Sequence, residues 1–578
     1  MQRLFLQTLK EYGNSNRYPW HMPGHKRQMT LAESMESLKL GAKYDVTEVS
    51  GLDNLLAPEG VLKESMAQLP KVYGSYNSYY LVNGSSCGIL TAISAVCRPG
   101  DTLIMGRNCH RSIYHAVALL GLHPVYLYPK KLNDYGIFGG ITKEQVQEAL
   151  KEHPETKAVI FPSPTYEGVV SDVAGISEVV HQNGAYLIVD EAHGAYLEFC
   201  MQAPAAAIRC GADLVIESLH KTLPCYNQCA ILHIGGNNAE QLRERVERYL
   251  QVYQTTSPSY LLVANMEDCI ATMDAWRMTH MQEYWKHLLQ FRRKWENRQG
   301  IHLLTKAEVI GGGAYDYDEA KLVFCIPENG TLTTGEAFAN RLEQECGQVM
   351  EMASLHYVLA MTSVADTEEA FETLDRALRK VVAIIEEKET ENIAEDSQKA
   401  KGIVEQTEIT EQTGIDVQAE IAEQKEIAKQ KEIIGRKKIA EQTKITEQTG
   451  IDVKKEITGR KEITEQTEIA KQTGTTKQTG IAVDKELKQS VVSEQEQKMI
   501  PADAWNQEMV LVKLPEAEGR IAGEYVTVYP PGIPQLVPGE SISNKEITYL
   551  QQCMEQGLTV QGITENAEIL VLQVKAET

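Results

Sequence analysis

From about residue 79, short apolar runs alternate with longer polar stretches: YYLV, TLIM, PVYLY, KAVIF, AYLIV, DLVI and CAILHI. Continuous apolar runs of this length predict strands buried on both faces, and the helix-length segments between them predict a largely parallel sheet covered by helices. Such sheets bind ligands beyond the carboxyl ends of their strands. The polar clusters fall there: NGSSCG after the first run, RNCHRS after the second, PSPTYEG after the fourth, DEAHGAY after the fifth and ESLHKT after the sixth. Five loops are therefore expected to converge on one edge of the sheet, as the loops of an active site do.

The pattern then changes twice. Residues 271–397 mix amphipathic helix with a few strands and are expected to form the first part of a smaller α+β domain, ending in the periodic helix TEEAFETLDRALRKVVAIIEE. From 398 to 497 the chain consists of near-copies of ITEQTG, IAEQKE and IAKQTG, with isoleucine at every sixth position from Ile403 to Ile481 and only Thr475 breaking the series. A six-residue period advances about 240° on an α-helix, so the isoleucines scatter over three faces and a coiled coil is not expected. A solvated insert with too little apolar surface to offset its ordering entropy is the leading expectation, with a stacked parallel β-helix or locally helical copies as alternatives. Residues 498–578 read as the remainder of the small domain, interrupted by the insert. Residues 1–60 form an N-terminal arm and 61–270 the large domain.

Charge and cysteine usage narrow the partners. The formal net charge is -23, from 57 basic and 80 acidic residues, which argues against nucleic acid or an anionic membrane surface. The first residues, MQRLFLQTLKEYGNSNRYPW, show no apolar stretch of signal-peptide type, and no run of about 18 apolar residues occurs. Eleven cysteines are scattered without paired CxxC spacing and without a zinc set, so reduced thiols in a cytoplasmic protein and no metal site are expected.

Within ESLHKTLP, Lys221 follows the apolar run DLVI. A lysine at a strand end, partly removed from water, loses its preference for the ammonium form, and its free amine can form a Schiff base with a carbonyl. The carbonyl most often held permanently by an enzyme lysine is the aldehyde of pyridoxal 5'-phosphate, and that cofactor needs further parts. NGSSCGILTAI follows a strand and opens a helix, so free amides face an anion, with Gly84 in the turn and Ser85 and Ser86 as hydroxyl donors. The same stretch is also an ordinary turn with a helix cap. Asp190 ends AYLIVD, where a carboxylate would keep a pyridine nitrogen protonated. Glu191 should point the other way. His110 could lie on the ring face, and His193 could contact the ring or its phenolic oxygen. Ser218 and His220 could complete the phosphate shell.

Taken together, these stretches resemble the Orn/Lys/Arg decarboxylases, a family of aspartate-aminotransferase-like, fold type I pyridoxal-phosphate enzymes. The resemblance rests on HMPGHK (21–26), TEVSGLDNL (47–55), LVNGSSCGIL (81–90), RNCHRS (107–112) and SPTYEGVVSD (163–172). It extends through VDEAHGAY (189–196), ESLHKTLP (217–224), QTTSPSYLL (254–262) and YPPGIPQLVPGE (529–540). Without the hexads the chain looks like the shorter biosynthetic type. The resemblance implies Lys221 as the Schiff-base lysine, Asp190 as the pyridinium partner, His110 stacked on the ring, and Ser85, Ser86, Ser218 and His220 around the phosphate. It also implies a homodimer or higher homo-oligomer with shared active sites, in which Ser257 or Ser259 serves a neighbour's cofactor.

The implied function is decarboxylation of a basic amino acid to the amine and CO2, with arginine ahead of lysine and ornithine, feeding polyamine synthesis. Glu540 or Asp53 is the candidate acid for the substrate's distal cation. An aminotransferase or aldolase of the same fold, or a scaffold using the hexads, remains an alternative.

Overall fold

The computed structural model describes residues 18–20, 53–132, 135–236, 239–296, 298, 301–326, 334–384, 496–529 and 532–573. The hexad segment and most of the N-terminal arm, HMPGHK included, lie outside the described residues.

The seven apolar runs become the seven strands of one sheet. These are β1 (Asn77–Leu81), β2 (Thr102–Gly106), β3 (His123–Leu127), β4 (Ala158–Pro162), β5 (Tyr186–Asp190), β6 (Leu214–Glu217) and β7 (Ala230–Ile234). Their spatial order is β1-β7-β6-β5-β4-β2-β3. β7 runs antiparallel to both β1 and β6, and the remaining pairs are parallel. The parallel strands are linked through helices that include α1 (Gly84–Val96), α2 (Arg111–Leu120), α3 (Lys143–Glu152) and α4 (Val173–Gln182). β2 and β7 are buried along their whole length, which is why their runs carry no polar alternation.

Local signals fix the helix starts. α3 opens with a capping box in which the Thr142 hydroxyl and the Gln145 side chain satisfy each other's backbone N–H. α1 begins at Gly84, whose φ of 75° suits glycine and turns the chain from β1 into the helix. One turn further, a Cβ on Gly88 would stand 2.7 Å from Leu81 Cδ1 and 2.9 Å from an Ile216 side-chain carbon. Glycine there lets α1 press against the sheet, which sets the helix N-terminus over the strand ends.

A second sheet of four antiparallel strands follows, in the order His302–Leu303, Lys321–Cys325, Tyr357–Met361, Met352–Ala353. A piece of the N-terminal arm reaches this region: Tyr18–Trp20 pairs in parallel with Gln348–Met350, and Trp20 is fully buried.

The C-terminal stretch differs from expectation. Its strands form a two-stranded sheet (Met509–Lys513 with Glu568–Leu572) and a three-stranded one (Ile533–Leu536, Val526–Tyr529, Thr559–Gln561). Among the described residues none of them pairs with the four-stranded sheet. Leu514, Val526, Leu536, Ile547, Leu550 and Ile569 give the stretch its own apolar core. It is a separate domain rather than the remainder of the preceding one, because among the described residues its strands pair only with each other and pack, with the helix Asn544–Glu555, around that core. The chain divides into one unit of Met1–Val381 with Glu486–Thr578 and another of Val382–Lys485. No described helix is long and apolar enough to cross a membrane.

Candidate active site

The carboxyl ends of β1, β2, β4, β5 and β6 open onto a cavity of about 340 Å³. Nine residues singled out in the sequence line it: Gly84, Ser85, Ser86, His110, Asp190, His193, Ser218, His220 and Lys221. They arrive from the ends of four strands, β1, β2, β5 and β6, or the turns after them, so the convergence follows from the sheet's topology.

Lys221 sits in the helical turn Leu219–Thr222 directly after β6, and is half-buried. Its Nζ lies 3.0 Å from His193 Nε2. Burial lowers the Lys221 pKa and nearby Lys321 lowers it further, while Asp190 and Glu351 pull the other way. Burial, together with Lys221 and Lys321, holds His193 well below the usual imidazole range. A neutral His193 can accept at Nε2 from the lysine ammonium or donate to its amine. The His193 ring also packs at 4.4 Å from that of Tyr166, and its backbone carbonyl accepts from Lys321 Nζ at 3.1 Å.

Asp190 closes β5 and is buried. Burial raises its pKa; the Lys221 charge and the Ala192 N–H, 3.2 Å from Oδ1, act in the opposite direction. Glu191, one residue on, falls on the other side as expected, and its Oε1 accepts the Ala207 N–H at 2.9 Å. His110 is the N-cap of α2, its Nδ1 accepting from the Ser112 N–H at 3.3 Å. Burial and the Lys221 charge bring its pKa to about 3, so it presents an uncharged ring to the cavity. His220, brought to about 4 mainly by burial, points Nδ1 at the Cys229 carbonyl, 3.0 Å away. That carbonyl can only accept, so Nδ1 carries the proton.

The residues present fit pyridoxal phosphate. Asn83 makes no side-chain cap at the start of α1, so its side chain does not occupy the first amides of the helix. Ser85 and Ser86 stand at the same place, and the Ser218 hydroxyl is buried with no hydrogen-bond partner. A phosphate would satisfy these donors, and buried polar groups are rarely left without one.

Three nominated residues lie elsewhere. Glu540, fully buried, pairs with Arg107 at 3.1 Å and accepts the Val537 N–H at 2.8 Å, so in this chain it anchors structure and does not line the cavity. The Asp53 carboxylate accepts backbone N–H groups of Asn54, Glu59, Gly60 and Leu62 at 2.7–3.0 Å. Desolvation opposes its charge, but these donors together outweigh it and bring the pKa to about 2. Asp53 is a turn staple. Ser257 is exposed in the loop before the helix Tyr260–Trp276. The cavity also contains residues that the sequence did not single out. Thr165, Tyr166 and Glu167 come from the recognised PSPTYEG loop, and Ile533 comes from the C-terminal domain. Nothing local to Ile533 marks it as a cavity wall.

Residues 4–325 match the Orn/Lys/Arg decarboxylase major domain, and residues 484–571 match the C-terminal domain of the same family. Among curated proteins, an arginine decarboxylase of Bacillus subtilis is 27% identical over 98% of this chain and 97% of its own length. One of Bacillus anthracis is 25% identical over 99% and 96%. Among solved structures, the lysine decarboxylase LdcF of Francisella novicida superposes with a TM-score of 0.65 at 19% identity, covering 98% of this chain and 80% of that one, a likeness of fold. With both domain matches in chain order and the strand-end residues gathered around one cavity, the chain belongs to the Orn/Lys/Arg decarboxylase family of amino-acid decarboxylases.

Proposed function

We propose that the protein decarboxylates arginine to its amine and CO2, with lysine next and ornithine third as substrates, and that the amine feeds polyamine synthesis. The observation that carries this reading is the Lys221 amine, 3.0 Å from a neutral His193 in a cavity that also holds Asp190. The full-length similarity to proteins named arginine decarboxylase supports arginine; the lysine decarboxylase LdcA of Pseudomonas aeruginosa aligns over 51% of this chain.

Pyridoxal phosphate, when bound, supplies an electron sink for the pair left behind as the α-carboxylate departs. Lys221 would hold its aldehyde carbon, Asp190 would hold a proton on its ring nitrogen, and His110 would lie against its ring. The amides at the start of α1, with Ser85, Ser86, Ser218 and His220, would hold its phosphate. Lys221 and His193 then form a two-group proton relay. His193 accepts a proton from Nζ when the amine must be free, and returns it when the substrate α-carbon takes one up. The lowered Lys221 pKa eases release of the Nζ proton.

Exposed Ser257 fits a role in a neighbouring copy's site within a homodimer or larger assembly. Eleven free cysteines fit a reducing compartment such as the cytoplasm. The test is incubation of the purified protein with arginine, lysine and ornithine in parallel, reading CO2, amine and keto acid. CO2 with stoichiometric amine, fastest from arginine, is expected. Keto acid without CO2 would transfer the protein to the aminotransferases.

A further inference from the structure

The acids nominated for the substrate's side chain, Glu540 and Asp53, are engaged elsewhere, yet the cavity does hold a second carboxylate. Of the residues that line it, Asp190 and Glu167 are the acids. Glu167 lies in the loop after β4 and is half-buried. Its Oε1 accepts the Tyr357 hydroxyl at 2.7 Å and its Oε2 accepts the Thr165 hydroxyl at 3.1 Å. Tyr357 belongs to the four-stranded sheet and Thr165 to the same loop as Glu167, so donors from two separate parts of the chain fix the carboxylate's direction. No lysine, arginine or histidine among the described residues pairs with Glu167.

The charge balance of the cavity makes this position informative. His110, His193 and His220 are all held uncharged, so Lys221 is the cavity's one cationic side chain among the described residues. Asp190 lies within electrostatic reach of Lys221, and the cofactor's ring nitrogen would engage it further. Glu167 remains as a fixed negative charge without a counterion. A carboxylate held in one direction by two donors offers an incoming cation a preset partner. Each of its oxygens takes one protein donor and keeps a second acceptor site, which leaves room for the two parallel N–H groups of a guanidinium.

We propose that Glu167 binds the distal cation of the substrate and sets the preference for guanidinium over ammonium side chains. This deepens the decarboxylase reading and rests on it. Thr165 and Tyr357 are positioning residues for that carboxylate.

Glu167→Gln tests the assignment, because the amide keeps size and an acceptor oxygen but loses the charge. The KM for arginine is expected to rise on the order of 100-fold, with a smaller fall in kcat. Citrulline, which has arginine's length and an uncharged end, should lose little or nothing. Glu167→Asp should recover part of the arginine KM. A urea midpoint close to wild type shows that the variant is folded. A calorimetric titration with agmatine, the decarboxylated arginine, provides a readout independent of turnover, and the variant should bind it far more weakly. Unchanged arginine KM in Glu167→Gln, or equal losses for arginine and citrulline, would overturn the assignment. If wild type releases no CO2 from any basic amino acid, the decarboxylase reading fails by itself. Agmatine titration then still decides on Glu167, with equal affinities in both proteins counting against it.

Discussion

Lys221 and His193 form the contact on which the proposed chemistry depends, and Lys221→Ala should lower CO2 release on the order of 10⁴-fold or more, measured under single-turnover conditions. Behind them lies a support that the strand-end pattern did not reveal. Lys321 is 1% exposed, pairs with Asp318 at 3.2 Å and donates to the His193 carbonyl; Asp318 also accepts from the Tyr196 hydroxyl. Lys321→Met leaves Asp318 charged and buried without its partner, so urea unfolding should show a loss of about 3–5 kcal/mol. Adding Asp318→Asn should recover part of it, since the two residues act as one unit. Lys221, Asp190 and the histidines were legible because residue type and strand-end position are both written locally. The bonding partners of Glu540 and Asp53 were not. Glu540 depends on Arg107, 433 residues away in the chain, and Asp53 depends on the precise path of the loop it staples.

At the scale of elements, β5 and β6 carry chemistry on both sides. Asp190 faces the cavity, while the next residue, Glu191, meets Glu217 at the end of β6 across the strand pair. Burial raises both carboxyls well above the usual carboxylate range, so both are protonated in the folded chain near pH 4.5. The groups facing them are Glu198, a buried His233 with Nε2 3.5 Å from Glu217, and Tyr73, which packs on that histidine. His233 is itself held uncharged, at about 3, chiefly by burial. The unfolded chain releases both protons near pH 4.5, whereas the folded chain retains them. The stability they contribute is therefore complete below that pH and lost as pH rises through the elevated folded values. Glu217→Gln should flatten this slope, raising the urea midpoint at pH 8 and leaving it nearly unchanged at pH 4. The seven strands themselves were readable from their uninterrupted apolar runs. The reversal of β7 was not, because CAILHI is as apolar as its parallel neighbours and direction is set by the connection, not by composition.

At the scale of the molecule, the large domain and the C-terminal domain are joined through Arg107. Its guanidinium donates to the Pro534 and Gln535 carbonyls and to Glu540, and it packs against the Tyr114 and Tyr126 rings. Burial works against its charge, but Glu540 together with Tyr114, Tyr126 and Tyr128 outweighs it and raises the Arg107 pKa above its usual value. Arg107→Met should cost about 3–5 kcal/mol, and Arg107→Met with Glu540→Leu should recover most of it. Hydrogen exchange of residues 526–536 should speed up in the single variant. The sequence indicated an interruption after the small domain's last helix but assigned the part beyond it to that domain. Turn-rich punctuation in YPPGIPQLVPGE identifies strands and does not say which sheet they join. Arg107 stands three residues before His110, while Ile533, one residue before the first carbonyl it holds, forms part of the cavity wall. A protease that clips the chain ahead of this final domain would therefore act as an inactivator. Once the domain drifts off, the chamber loses the wall that Ile533 supplies and opens to solvent.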